Sequence, residues 1–201
     1  MLSFTASGTL ADTVTFSKWK GRPYVRTRVI PKNPRSDSQT GMRQMMEFLT
    51  RSWSSVSSSN QATWESLAES LQVSPFNAFV GKNMARWRNY LPPSQIPEAT
   101  ADDTLPTLGT VQASASGRNI KVTIPITTPA DGWGITVHIS TQSNFTPGFS
   151  TAKKTVAVPS SGDAQAEVGP FDPGTYYVRV VPFTKKGKMG SATSAQSVEI
   201  T

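Results

Sequence analysis

The apolar positions change period twice along the chain, and each change predicts a different kind of element. Val14 and Phe16 lead into a turn around Trp19-Lys20-Gly21-Arg22-Pro23, and Tyr24 to Ile30 return as a second strand. On that return, Val25, Thr27 and Val29 face one way, while Tyr24, Arg26, Arg28 and Ile30 face the other. Gly21 permits a positive φ in the turn, and Pro23, with no N–H for a ladder, belongs at the strand's first residue or at a sheet edge. Before the hairpin, Leu2 to Thr9 reads as a short arm able to pair with a neighbouring strand or hold a partner chain.

Pro31 and Pro34 stop the sheet, and the period becomes helical. Ser36 with Gln39 predicts a capping box, followed by an apolar stripe of Met42, Met45, Met46, Leu49, Trp53 and Val56. Ser58 with Gln61 predicts a second box, opening a helix that turns Trp64, Leu67, Ala68 and Leu71 inward. Ser74-Pro75 starts a third helix, which buries Phe76, Phe79, Val80, Met84 and Trp87 and closes before Pro92-Pro93. The Met and Trp stripes at this spacing imply packing between three short helices rather than a cofactor site.

Residues 92–106 lose all periodicity and read as a Pro-rich linker, expected to pack against a neighbouring subunit because few of its side chains can make a core. Beyond it, short strands recur near 107–114, 119–126, 133–141, 152–158, 164–169, 175–183 and 193–200, separated by turns such as Asp131-Gly132 and Asp172-Pro173-Gly174. The expected organisation is a hairpin and three-helix module over 1–91, the linker over 92–106, and an independent β-sandwich over 107–201. The fold class is α+β followed by all-β.

Charge sharpens this picture. From Lys18 to Arg51 there are nine Lys/Arg against Asp37 and Glu47, a balance of +7 that equals the net charge of all 201 residues. Cations gathered this tightly predict a docking surface for something acidic, with Trp19, Lys20, Arg22, Tyr24, Arg26, Arg28, Lys32 and Arg35 as the candidate partner-binding residues. The plainer reading is a solvated strand face on which arginine stems cover apolar surface. With 36% hydrophobic residues, 15 Pro and 14 Gly, the chain reads as a turn-rich globular protein. No apolar run approaches a membrane span, and Met1-Leu2-Ser3-Phe4 lacks the features of a signal peptide. Zero cysteines exclude disulfides, thiolate metal sites and cysteine nucleophiles.

Two resemblances add to these readings. Tyr176, Val178 and Val180 match the Tyr-x-Val-x-Val strand of fibronectin type III domains, which the last hundred residues resemble. That likeness implies a corner tyrosine at Tyr176. Ile124 stands where the family carries a tryptophan, and Trp133 does not replace it in register. The first ninety residues resemble an uncharacterised family of phages and prophages through Lys20-Gly21, Tyr24-Val25-Arg26, Pro31-Lys32-Asn33-Pro34, Gln39 with Arg43, Trp53 with Trp64, and Asn77-x-Phe79-x-x-x-Asn83. This second resemblance implies a virion structural role, with other virion proteins and copies of the chain as partners. It brings no catalytic residues.

Catalytic chemistry is otherwise sparse. His138 is the one histidine and is expected on the sandwich surface. Asp102-Asp103 reads as a solvated pair of linker acids, and Lys153-Lys154 and Lys185-Lys186-Gly187-Lys188 as solubilising turns. No phosphate-binding loop or Ser/His/Asp set has supporting context, so neither enzyme activity nor a cofactor is expected. The expected function is that of a virion component: head decoration, connector or tail. Nucleic-acid binding by the basic hairpin is the alternative, and a surface or carbohydrate-binding module the third.

Overall fold

In the computed structural model, which describes residues 7–11, 13–29 and 36–201, the chain divides into two units, residues 1–35 and 36–201. In the first unit, β1 (Gly8–Leu10), β2 (Val14–Trp19) and β3 (Arg22–Thr27) form an antiparallel sheet in that order. The β2–β3 turn is Lys20-Gly21, with φ of 49° and 79°. Both central residues are thus left-handed, the turn whose twist suits a two-residue hairpin. Gly21 takes the expected positive φ, and the return strand closes at Thr27 rather than at residue 30. The arm contributes β1, which pairs with β2 in the register Leu10↔Val14.

The second unit opens with α1 (Asp37–Ser52), whose Ser36 cap accepts from the Gln39 N–H, as the sequence predicts. Its buried face is Gly41, Gln44, Met45, Phe48, Leu49 and Ser52, so Phe48 replaces the expected Met46, which stays exposed. A 3-10 turn over Trp53–Ser55 follows. The second predicted helix is two pieces, α2 (Ser58–Ala62) and α3 (Glu65–Leu71). Ser57, not Ser58, caps α2, because the Gln61 amide is used elsewhere: it donates to the carbonyls of Trp53 (2.8 Å) and Val56 (3.2 Å). Ser74 and Pro75 start α4 (Pro75–Arg88) as predicted.

The strands that follow are β4 (Thr107–Leu108), β5 (Gln112–Ser116), β6 (Asn119–Thr128), β7 (Gly132–Ser140), β8 (Ala152–Ala157), β9 (Asp163–Val168), β10 (Gly174–Thr184) and β11 (Gln196–Ile200). The first predicted strand is split, since Gly109 lies against the Pro125 ring and its N–H donates to the Pro125 carbonyl at 2.8 Å. One sheet runs β11-β10-β7-β8. In the other, β6 pairs with β4 and β5 along one edge and with β9 along the other. Their facing residues, among them Ile120, Val122, Ile124, Ile135, Val137, Ile139, Val178 and Val180, form one core. Tyr176 closes the corner before β10 by donating its hydroxyl to the Asp172 carbonyl at 2.9 Å.

A second core corrects the expected independence of this sandwich. Met45, Phe48, Leu49, Trp64, Phe79 and Trp87 of the helices pack with Trp133, Ala152 and Phe183 of the sheet. The helices therefore cover the outer face of β10-β7-β8, making three layers. Trp133 contributes to this second core, with its ring centroid 5.1 Å from Phe48 and 5.9 Å from Phe183. At Gly41, α1 approaches so closely that a Cβ would lie 2.5 Å from the Phe149 carbonyl oxygen.

Residues 92–106 are likewise no free spacer, and the expected packing against another subunit gives way to burial by the chain itself. Pro92, Pro93, Ser94 and Gln95 are buried. Asn83, fully buried on α4, pairs with both backbone polar groups of one residue: Ser94 N donates to its Oδ1 at 2.7 Å and its Nδ2 donates to Ser94 O at 2.9 Å. Trp64 Nε1 donates to Gln95 O at 2.8 Å, and Gln95 N to Lys185 O at 2.7 Å. The side chains of Asn83 and Trp64 and the backbone carbonyl of Lys185 thus satisfy a segment that has no ladder of its own.

Candidate docking surface

Strand register gives the N-terminal sheet two different faces. Residues directly opposite share a face, so Leu10, Val14, Phe16, Val25 and Thr27 lie together with Lys18 and Pro23. The other face collects Thr15, Ser17, Trp19, Arg22, Tyr24 and Arg26, through the pairs Trp19↔Arg22, Ser17↔Tyr24 and Thr15↔Arg26. Every residue of β3 is exposed; Trp19 is 68% and Val25 59% accessible. The Trp19 ring is thus left in solvent, paired across the strands with Arg22.

Of the eight candidate residues, four share this cationic face: Trp19, Arg22, Tyr24 and Arg26. Trp19, Arg22 and Tyr24 line a shallow hollow of about 290 Å³. Lys20 sits in the turn with its Nζ 5.0 Å from the Trp19 ring centroid, a cation–π contact that holds charge beside the indole. Arg28 follows β3, and its N–H donates to Thr13 O at 2.7 Å. Lys32 and Arg35 lie outside the described residues. Alternation along Tyr24–Thr27 made the cationic face legible; the apolar face needed β1 and the β2 register, which no spacing in the sequence supplies.

The other polar groups singled out in the sequence have structural duties. His138 is fully buried beneath the helices rather than on the surface. Gly148 N donates to Thr151 Oγ1 at 2.9 Å, and the Thr151 hydroxyl donates to Gly148 O at 3.0 Å. That leaves His138 Nδ1 as the donor to Thr151 Oγ1 (3.0 Å) and Nε2 as the acceptor from the Tyr90 hydroxyl (3.2 Å). Burial pushes the imidazole down to about 3 and the Tyr90 phenol up to about 12, so both groups are neutral across the ordinary range.

Asp103 is buried too, accepting the Lys186 N–H at 2.7 Å, while Lys188 Nζ donates to its carbonyl at 3.0 Å. Asp102 stays exposed, held below its ordinary value by hydrogen bonds from Thr100 and Lys186. Lys153 pairs with Asp37 and Lys154 with Glu47 (3.0 Å), tying β8 to α1. Lys153-Lys154 are therefore part of a strand rather than a solubilising turn, and they join layers. Two clefts of about 300 and 410 Å³ run beside β8 and the start of β7, lined by residues such as Glu47, Lys154, Ser55 and Trp133. Among the described residues no group of His, Asp and Glu is placed to hold a metal ion, and no helix is long and apolar enough to cross a membrane.

No family model and no curated protein matches the chain. Solved structures resemble about half of the chain slightly. A DUF3823 family protein from Bacteroides ovatus is 12% identical with a TM-score of 0.38, over 48% of this chain and 56% of that one. A family 76 glycoside hydrolase from a bovine Bacteroides thetaiotaomicron strain is 16% identical with a TM-score of 0.36, over 47% and 20%. The PKD domain of an M14-like peptidase from a Thermoplasmatales archaeon is 20% identical with a TM-score of 0.33, over 49% and 97%. The chain thus spans about half, and a fifth, of the first two. At this level of similarity the architecture is read from the chain's own strand order.

Proposed function

We propose that this chain is a bacteriophage virion structural protein, a head decoration, connector or tail component, which docks through its N-terminal sheet and presents a helix-backed, fibronectin type III-like sandwich. The observation that carries the docking half is the open cationic face of Trp19, Arg22, Tyr24 and Arg26. Charge partition supports it: residues 1–35 hold seven Lys/Arg against Asp12, a balance of +6, which leaves +1 for the other 166 residues. Arginine with Trp and Tyr is the composition enriched at the energetic centres of protein interfaces. The virion half rests on the motifs shared with phage and prophage proteins. The fibronectin type III-like assignment is supported by the β5-β6-β9 and β11-β10-β7-β8 orders and by the Tyr176 corner.

Its partners are other virion proteins, through an acidic surface, and further copies of the chain. Incorporation into purified particles tests this. Arg22→Ala with Arg26→Ala should reduce incorporation strongly, whereas Arg88→Ala with Lys121→Ala, two exposed cations of the larger unit, should not. Equal incorporation of both double variants would remove the docking role. A second reading, binding of single-stranded nucleic acid, is favoured by two aromatic rings among cations on one strand face. It forecasts affinity for free DNA or RNA that falls steeply with salt.

A further inference from the structure

The two units differ in how their sheets end. In the larger unit the edge strands β8 and β11 lie against β9 and β5 of the facing sheet, but β3 of the smaller sheet has no strand beyond it among the described residues. The direction of its peptide groups follows from one bond. Arg28 N donates to Thr13 O, so Thr13 and Arg28 form a hydrogen-bonded pair. In an antiparallel ladder such pairs alternate with non-bonded ones. Thr15↔Arg26, Ser17↔Tyr24 and Trp19↔Arg22 are then bonded, while Val14↔Thr27, Phe16↔Val25 and Lys18↔Pro23 are not. The N–H and C=O groups of Val25 and Thr27, and the carbonyl of Pro23, therefore point away from β2 to the open edge. Pro23 occupies the place on β3 where a missing N–H costs the sheet nothing.

This edge is chemically two-sided. Arg22, Tyr24 and Arg26 project to one face, and Pro23, Val25 and Thr27 to the other. We propose, resting on the docking role above, that β3 receives an extended segment of an acidic partner protein as a fourth strand, one that alternates acidic and aliphatic side chains. Its backbone bonds Val25 and Thr27, its carboxylates meet Arg22 and Arg26, and its aliphatic residues extend the Phe16–Val25 face. Charge selects against a second copy. Antiparallel pairing of two β3 edges about Val25 sets Arg22 opposite Arg28 and each Arg26 diagonal to the other, and like charges across a ladder repel.

The test uses the full chain and two peptides of one composition, Glu-Val-Glu-Val-Glu-Val and Glu-Glu-Glu-Val-Val-Val, with an oligo-dT as third probe. The alternating peptide should bind at least about tenfold more tightly than the block peptide and slow amide exchange at Val25 and Thr27 but not further at Tyr24 or Arg26. Val25→Pro, which spares the β2–β3 bonds, should weaken that binding about tenfold. Arg22→Glu with Arg26→Glu should transfer the preference to Lys-Val-Lys-Val-Lys-Val. Equal binding of the two acidic peptides, binding without protection of Val25 and Thr27, or no peptide binding would overturn strand addition. So would tighter, salt-sensitive binding of oligo-dT. If strand addition fails while Arg22→Ala with Arg26→Ala still lowers particle incorporation, the docking role stands and only its geometry is wrong.

Discussion

The two units use the same alternation of side chains to opposite ends. Along β7, Ile135, Val137 and Ile139 enter the sandwich core, and the intervening Thr136 and His138 are buried as well, because helices lie over that face. Along β3, residues of both parities are exposed. A strand covered on two sides is held by packing, and its polar residues must find partners inside: Thr136 with Thr155, His138 with Tyr90 and Thr151. A strand covered on neither side keeps its side chains free for something else. The three strands of this sheet carry no buried residue among those described, so packing of its own holds it far less than it holds β7, as the proposed docking role requires.

The contrast is broken most forcefully by truncating an aromatic in each unit. Phe79, fully buried among Trp53, Trp64 and Trp133, should cost about 3–5 kcal/mol as Phe79→Ala in urea unfolding. Trp19→Ala, a larger truncation on the open sheet, should stay within about 0.5 kcal/mol. Comparable losses would mean that the sheet is part of the same cooperative body.

Next in size is Asn83→Ala. It leaves the Ser94 N–H and C=O buried without their partner and should destabilise by about 2–3 kcal/mol, with β3 unaffected in amide exchange.

Acidification acts on the buried histidine of the larger unit. His138 is neutral and buried, its value lowered to about 3, while in the unfolded chain it titrates near 6.5. The stability it contributes is complete above about 6.5 and is lost as pH falls toward 3, at about 1.4 kcal/mol per pH unit. Tyr90 does the converse at alkaline pH, between about 10 and 12. Denaturation across pH should show the acid loss in the native chain and its absence in His138→Gln.

Local grammar was legible in the sequence where one residue acts on its own neighbours. Ser36 and Ser74 cap the helices they announce, Gly21 turns the hairpin, and the seven later strands fall close to their expected places. What the sequence hid were pairings between distant residues. Asn83 with Ser94, Trp64 with Gln95 and Asp103 with Lys186 turn an aperiodic, Pro-rich stretch into a packed one, and no pattern within residues 92–106 records them. His138 alternates like a surface residue because helices that cover its strand come from fifty or more residues earlier. At the candidate surface, the cationic face was readable from alternation alone; the apolar face and open edge depended on register.

The smallest effect expected is on stability from Arg22→Ala with Arg26→Ala, within about 0.5 kcal/mol, since neither side chain is in a core.

The measurement that bears most directly on the whole account is residue-level amide exchange of the free, full-length chain. The amides of Arg22, Tyr24 and Arg26, though bonded within the sheet, should exchange with an opening free energy near zero to about 1 kcal/mol. The amides of Ile135, Val137 and Val180 should open only with global unfolding. Protection of β3 equal to that of β7 and β10 would contradict it, because a sheet that stable on its own would have no need of a partner to cover it.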